Sequence, residues 1–158
     1  MLAKYKDRFF SYSSSTSEQE ITTQSDEKAY PEFEYEEDEG IFYKSVSEEE
    51  LSDIFDIHFY VEYDAHLKDT PLRWEVFPED FEDNGVYLIF AEGFLPEWEI
   101  IDKFVCRKLV SFEELKNYEA VFEYRKKDGV CKSIEERMTI LSIEEMLKTL
   151  EAYREYIK

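Results

Sequence analysis

The sequence predicts an α+β fold: an antiparallel sheet covered by helices on one face and closed by a long C-terminal helix. Three observations predict it. Segments of apolar–polar alternation recur from Tyr30 onward, three Ser-x-x-Glu boxes each introduce a helix start, and an Asp-Gly pair joins two alternating runs.

Taken in order, residues 11–29 (SYSSSTSEQEITTQSDEKA) are rich in Ser and Thr and read as a flexible arm, with Met1–Phe10 docking through Tyr5, Phe9 and Phe10. The expected division is an N-terminal arm over residues 1–29 and a single α+β domain over residues 30–158. In Tyr30–Gly40 (YPEFEYEEDEG), Glu32, Glu34 and Glu36 fall on one face of a short strand and Phe33 and Tyr35 on the other. Glu37-Asp38-Glu39-Gly40 then turns the chain into Ile41-Phe42-Tyr43.

The three boxes are Val46–Leu51 (VSEEEL), Val110–Leu115 (VSFEEL) and Leu141–Met146 (LSIEEM). In each, the Ser hydroxyl and the Glu carboxylate three residues on can satisfy each other's free backbone N–H. The apolar residue before the Ser can pack on the one at the fourth helical position. Each is read as a helix start.

Between them, Ile57, Phe59, Val61, Tyr63 and Ala65 alternate with His58, Tyr60, Glu62, Asp64 and His66, a period of two. Leu72–Phe77 and Gly85–Ala91 read as further strands around an acidic turn. Pro96 suits a first helical turn, and Trp98, Ile101, Phe104 and Val105 come after it at helical spacing. Tyr118–Arg125 and Val130–Ile140 flank Lys127-Asp128-Gly129, a hairpin signal. The last helix starts near Ile143, with Met146, Leu147, Leu150, Tyr153 and Ile157 on the same face.

Composition narrows the function. The chain has 158 residues, 43% of them hydrophobic and 17% aromatic, which is too rich in rings for a disordered chain. It carries 39 acids against 19 bases, a net charge of −20. That charge repels nucleic acid and anionic membrane, because both are bound through Lys and Arg. It also destabilises the compact state by self-repulsion, and a basic protein partner is the simplest offset. Cys106 and Cys131 stand apart with no C-x-x-C and read as buried thiols in a reducing compartment. The first residues lack the apolar core of a secretory signal, and no run of 18 apolar residues is present. A cytoplasmic location is expected.

Candidate chemistry is sparse. Asp80–Gly85 (DFEDNG) resembles a calcium loop in its first six positions, but the twelfth is Ala91, where a bidentate Glu is needed. Asp64 and His66 have a spacing that suits a metal, yet no Cys/His cluster completes a site. There is no G-x-S-x-G, no phosphate loop and no dinucleotide motif, and four glycines leave no material for one. No cofactor, no metal and no enzymatic activity are expected.

What remains is the acidic surface, concentrated in two base-free runs. The partner-binding residues expected from them are Glu36, Glu37, Asp38 and Glu39, and then Trp74, Glu75, Glu79, Asp80, Glu82 and Asp83. Trp74, Phe77 and Phe81 supply aromatic anchors beside the second run.

In composition and layout, residues 85–158 resemble the immunity proteins that bacteria pair with toxic nucleases, including those of contact-dependent inhibition. Val130–Leu141 as a sheet strand and the long helix from Ser142 carry that resemblance. It implies a non-enzymatic inhibitor that neutralises a basic partner, a nuclease toxin, by steric and electrostatic occlusion. An adaptor with an apolar contact surface and a phage inhibitor acting as a DNA mimic are the alternatives. The partner's identity and the oligomeric state stay open at this point.

Overall fold

The computed structural model describes every residue from Met1 to Lys158. Its strands are β1 (Leu2–Tyr5), β2 (Arg8–Ser14), β3 (Gln19–Thr23), β4 (Glu34–Glu36), β5 (Ile41–Ser45), β6 (Leu51–Glu62) and β7 (Arg73–Val76). They continue with β8 (Phe81–Glu82), β9 (Gly85–Phe90), β10 (Glu99–Asp102), β11 (Val105–Ser111), β12 (Tyr118–Lys127) and β13 (Val130–Ile140). One α-helix, α1 (Ile143–Ile157), ends the chain. The protein is mostly β, so the expected α+β sheet covered by helices on one face is corrected.

Two of the three helix starts account for much of that correction. At Ser47 and Ser111 the carboxylate half of the box forms: Glu50 accepts the Ser47 N–H at 2.8 Å and Glu114 the Ser111 N–H at 3.1 Å. Each box closes a single 3-10 turn, Glu48–Glu50 and Phe112–Glu114, before the chain turns to extended backbone. A cap fixes where a helix begins, whereas propagation needs a stripe of 3.6 period and good helix formers. Leu51–Glu62 and Tyr118–Lys127 alternate instead, with rings and β-branched side chains that fit a pleated surface. At Ser142 the sequence beyond the cap is helical, so α1 grows from it. There the Glu145 N–H donates to the Ser142 hydroxyl at 3.2 Å, and the Leu141 N–H donates to the Glu145 carboxylate at 3.0 Å.

The segment after Pro96 is likewise a hairpin rather than a helix. Pro96 and Glu97 occupy the middle of a turn closed by Trp98 N–H to Leu95 C=O at 3.2 Å, with Glu97 at φ +68°. β10 then pairs with β11, Glu99 opposite Arg107 and Ile100 opposite Cys106.

The chain divides into two compact units. The first holds Met1–Ile57, Phe122–Glu136 and Lys148–Lys158. In the strand order β13-β12-β6-β1-β2-β3-β5-β4, β1 to β5 belong wholly to this unit, with β6 as far as Ile57, β12 from Phe122 and β13 as far as Glu136; the ladders with β1, β3 and β5 are antiparallel. Within residues 1–29, Leu2–Tyr5, Arg8–Ser14 and Gln19–Thr23 are strands. Phe10 and Tyr12 alternate with Ser11 and Ser13, so period two carries the rings inward despite a loop-like composition. Tyr5, Phe10, Tyr30 and Phe33 meet edge-to-face or tilted, with centroids 5.1–6.4 Å apart. Asp128 (φ +50°) and Gly129 (φ +79°) make the two-residue turn between β12 and β13. Lys28 donates to the Glu155 and Tyr156 carbonyls at 3.2 and 2.7 Å, a cation placed at the negative end of α1.

The second unit holds His58–Val121 and Arg137–Leu147. Within it β7 pairs with the end of β6, from Phe59 opposite Val76 to Glu62 opposite Arg73. A separate four-stranded sheet runs β10-β11-β9-β8. Val86, Leu88, Cys106 and Val110 form its buried face. A Cβ on Gly85 would collide with the Val110 carbonyl oxygen, so only glycine permits the close β9–β11 approach there. Of the two thiols expected to be buried, Cys106 is, while Cys131 lies exposed on β13, a strand exposed along most of its length.

Candidate functional site

The first acidic run belongs to the first unit and lies at the outer edge of its strand order. β4 pairs only with β5, placing Glu34 opposite Tyr43, Tyr35 opposite Phe42 and Glu36 opposite Ile41. Tyr35 packs on Phe42, with ring centroids 4.8 Å apart, and the Tyr43 hydroxyl donates to Glu34 at 2.7 Å. Glu36, Glu37, Asp38 and Glu39 are exposed, and Gly40 (φ +65°) closes the turn by donating to the Glu36 carbonyl at 2.9 Å. Charge on a short terminal strand also discourages pairing with another chain. Glu32 is the exception in the run. It is bonded to Lys6 and accepts the Tyr5 hydroxyl at 2.9 Å. The Lys6 bond, foremost, holds its carboxyl down at about 2.

The second run belongs to the second unit, and its members do different things. Glu75 Oε1 lies 2.6 Å from His58 Nδ1. Asp80 Oδ2 accepts the Phe77 N–H at 2.8 Å and so holds the turn Pro78–Asp80. Burial, the largest influence on this carboxyl, raises its pKa despite that bond. Glu79, Glu82 and Asp83 are exposed. Phe81–Glu82 is strand β8, with Phe81 opposite Val86 and Glu82 opposite Gly85, so DFEDNG forms a tight hairpin in place of a calcium loop. No cluster of three His, Cys, Asp or Glu side chains stands in metal-ligating geometry.

Trp74 is not a surface anchor. It is 4% exposed, donates Nε1–H to the Tyr63 carbonyl at 2.9 Å and stacks on Trp98 with centroids 5.5 Å apart. Strand alternation turns it inward with Val76, leaving Arg73, Glu75 and Phe77 outward. Phe77, 50% exposed, is the available ring. Phe81 is half-buried and packs on Phe112, with centroids 6.3 Å apart.

Trp74, Glu75 and Asp80 nevertheless come together as walls of one cleft of about 720 Å³ within the second unit. Phe77, Ile89 and Phe90 supply further apolar lining, and Asp69 and Glu92 add two more carboxylates. Asp69, Ile89, Phe90 and Glu92 escape a reading of the sequence because they come from a separate loop and strand end, and no local spacing marks their convergence. The one weak signal is the pair Ile89-Phe90 at the end of an alternating run, just before Glu92.

Arg73 is the only base on the cleft wall. Its Nε and Nη2 donate to Glu119 at 3.1 and 2.8 Å, and its guanidinium lies 3.5 Å from the Tyr60 ring centroid. The exposed large apolar side chains also crowd this unit: Leu72, Phe77, Ile89, Phe94, Ile100, Ile101, Phe104 and Leu109. No helix is long and apolar enough to cross a membrane. Comparisons of the chain with protein-family models, with curated proteins and with solved structures find no match.

Proposed function

We propose that the protein is a non-enzymatic binding protein that neutralises a basic partner, a nuclease toxin being the expected case, by covering its cationic surface with carboxylates. One observation carries this reading. Glu36, Glu37, Asp38 and Glu39 in one unit, and Glu79, Glu82 and Asp83 in the other, are all exposed and have no ion-pair partner within the chain. Within the runs Glu32 is paired with Lys6 and Glu75 with His58, while Lys44, Arg73, Arg107 and Lys127 are paired with Glu50, Glu119, Glu99 and Glu136 outside them. The acidic runs thus keep their field for an outside cation, and such a field speeds association with a basic surface.

The test is binding to a panel of basic nucleases and basic proteins without nuclease activity, at about 50 mM and about 300 mM salt. Tight, salt-sensitive binding to a nuclease, lost when the seven carboxylates are changed to Gln or Asn, is the expected result. Binding indifferent to salt and to those substitutions would remove the electrostatic mechanism.

A second reading, an adaptor whose contact is apolar, is favoured by the eight exposed apolar side chains between Leu72 and Leu109. It predicts unchanged partner binding by the carboxylate-neutralised protein and loss on Phe94→Ser with Phe104→Ser, two exposed rings that stack at 5.8 Å.

A further inference from the structure

Resting on the reading of the chain as a protein that binds a basic partner, we infer that the 720 Å³ cleft of the second unit seats a basic polypeptide segment. The apolar stem of a lysine or arginine lies over Phe77 and Ile89, and its cationic head stands among Asp69, Glu75, Asp80 and Glu92.

Charge decides the sign of the occupant. Four carboxylates line the cleft against one guanidinium; Glu75 stands beside His58 and Asp80 holds the Phe77 N–H, and the guanidinium is itself engaged by Glu119 and the Tyr60 ring, which leaves Asp69 and Glu92 the least committed charges. An anionic ligand would meet repulsion with no free base to hold it. A cation finds carboxylates at the walls and aromatic faces beside them, and both attract it more strongly as water is displaced. The burial that raises the Asp80 pKa is offset when a cation stands nearby.

Size and surroundings decide its kind. The volume lies within the ~300–1,000 Å³ typical of organic ligand sites, far above what a single ion fills. Phe77 and Ile89 are 50% and 41% exposed, and Leu72, between lining residues Pro71 and Arg73, is exposed as well. A free polyamine brings only thin methylene spacers between its charges, too little apolar surface to cover Phe77, Ile89 and Leu72 together. A polypeptide mixing basic and apolar residues covers them and supplies the charge. A buried apolar centre with a charged rim is the usual anatomy of a protein interface.

The experiment uses the full chain and an eight-residue peptide alternating Lys and Leu, with an all-Lys peptide, an alternating Glu-Leu peptide and spermidine as comparison ligands. Tryptophan emission reports occupancy, because Trp74 lines the cleft. Three variants are compared after their folding has been checked by circular dichroism. Phe77→Ala with Ile89→Ala alters exposed apolar walls, Asp69→Asn with Glu92→Gln alters charge without volume, and Glu37→Gln with Asp38→Asn and Glu39→Gln alters the first unit only.

The expected result is binding of the Lys-Leu peptide, weakened about tenfold or more by each cleft variant and by clearly less than that by the first-unit variant. Equal binding of spermidine assigns the cleft to small polycations, and equal binding of the Glu-Leu peptide removes the charge argument; either overturns the proposal. Equal binding of the all-Lys peptide overturns the apolar half of it. If basic ligands bind and only the first-unit variant weakens them, the cleft assignment fails while the broader reading stands. If no basic ligand binds at all, the cleft assignment falls, and the broader reading is decided by the nuclease panel.

Discussion

The Trp74 indole stacks on that of Trp98, with ring centroids 5.5 Å apart and planes 30° apart, and both rings are buried. The contact ties β7 to the turn that enters β10, so two distant stretches of the second unit share one aromatic centre. Trp98→Ala leaves a cavity under the cleft and is expected to cost about 3–5 kcal/mol in urea unfolding monitored by circular dichroism. A loss below about 1 kcal/mol would mean that the stack contributes little to this unit.

The bond between Lys6 and Glu32 predicts an acid-dependent effect. The Glu32 carboxyl titrates near 2 in the folded chain and near 4.5 when unfolded. A depressed folded value stabilises above the unfolded one, and that contribution drains away as the pH falls from about 4.5 to about 2. Glu32→Gln is therefore expected to lower the thermal midpoint slightly near neutrality and to match the parent chain near pH 2. The gap between the two proteins shrinks with added salt, since the pair lies at the surface.

Asp80 has the opposite sign. Its folded pKa is raised by burial, so the folded state holds the proton more tightly and ionisation at higher pH costs stability. Asp80→Asn keeps an oxygen to accept the Phe77 N–H and removes the buried charge. It is expected to raise the melting temperature near neutral pH, and the gain disappears once the pH falls below the ordinary carboxylate value of 3.8. A gain of equal size in acid would point to packing instead of charge.

The capping boxes make a contrast that one pair of variants resolves. The Ser142 hydroxyl accepts the Glu145 N–H, so Ser142→Ala is expected to cost about 1 kcal/mol. At Ser47 the turn is held chiefly by Glu50, whose carboxylate accepts the Ser47 N–H at 2.8 Å and lies 3.5 Å from the Ser47 hydroxyl. Ser47→Ala should cost a few tenths of that, and Glu50→Ala more than Ser47→Ala. Equal losses for the two serines would contradict the distinction.

These elements also mark how far the chain can be read from its letters. The alternation from Ile57 to His66, present as strand as far as Glu62, the Asp128-Gly129 hairpin and the helix from Ile143 rest on local signals that tertiary packing reinforces. Ser47 and Ser111 mislead because a cap carries no information about the residues beyond it. Residues 11–14 mislead because their serine content masks the inward period of Phe10 and Tyr12. The acidic runs are legible as composition, and their exposure accords with it. The cleft is not legible: Asp69 and Glu92 lie 23 positions apart, and only the fold of β7 and β9 brings them to one wall. Trp74 misleads for a simpler reason. Alternation in Leu72–Phe77 does not say which strand face points inward, and the burial of Val76 settles it.

The two cysteines differ in a way that is useful at the bench. Cys106 is sealed in the sheet with its sulfur 3.6 Å from the Gly93 carbonyl, and Cys131 is open to solvent. A maleimide dye added to the native chain should therefore attach once, at Cys131, and a second equivalent should react only in denaturant. Native preparations then carry a single reporter in the first unit, while both indoles, Trp74 and Trp98, lie in the second.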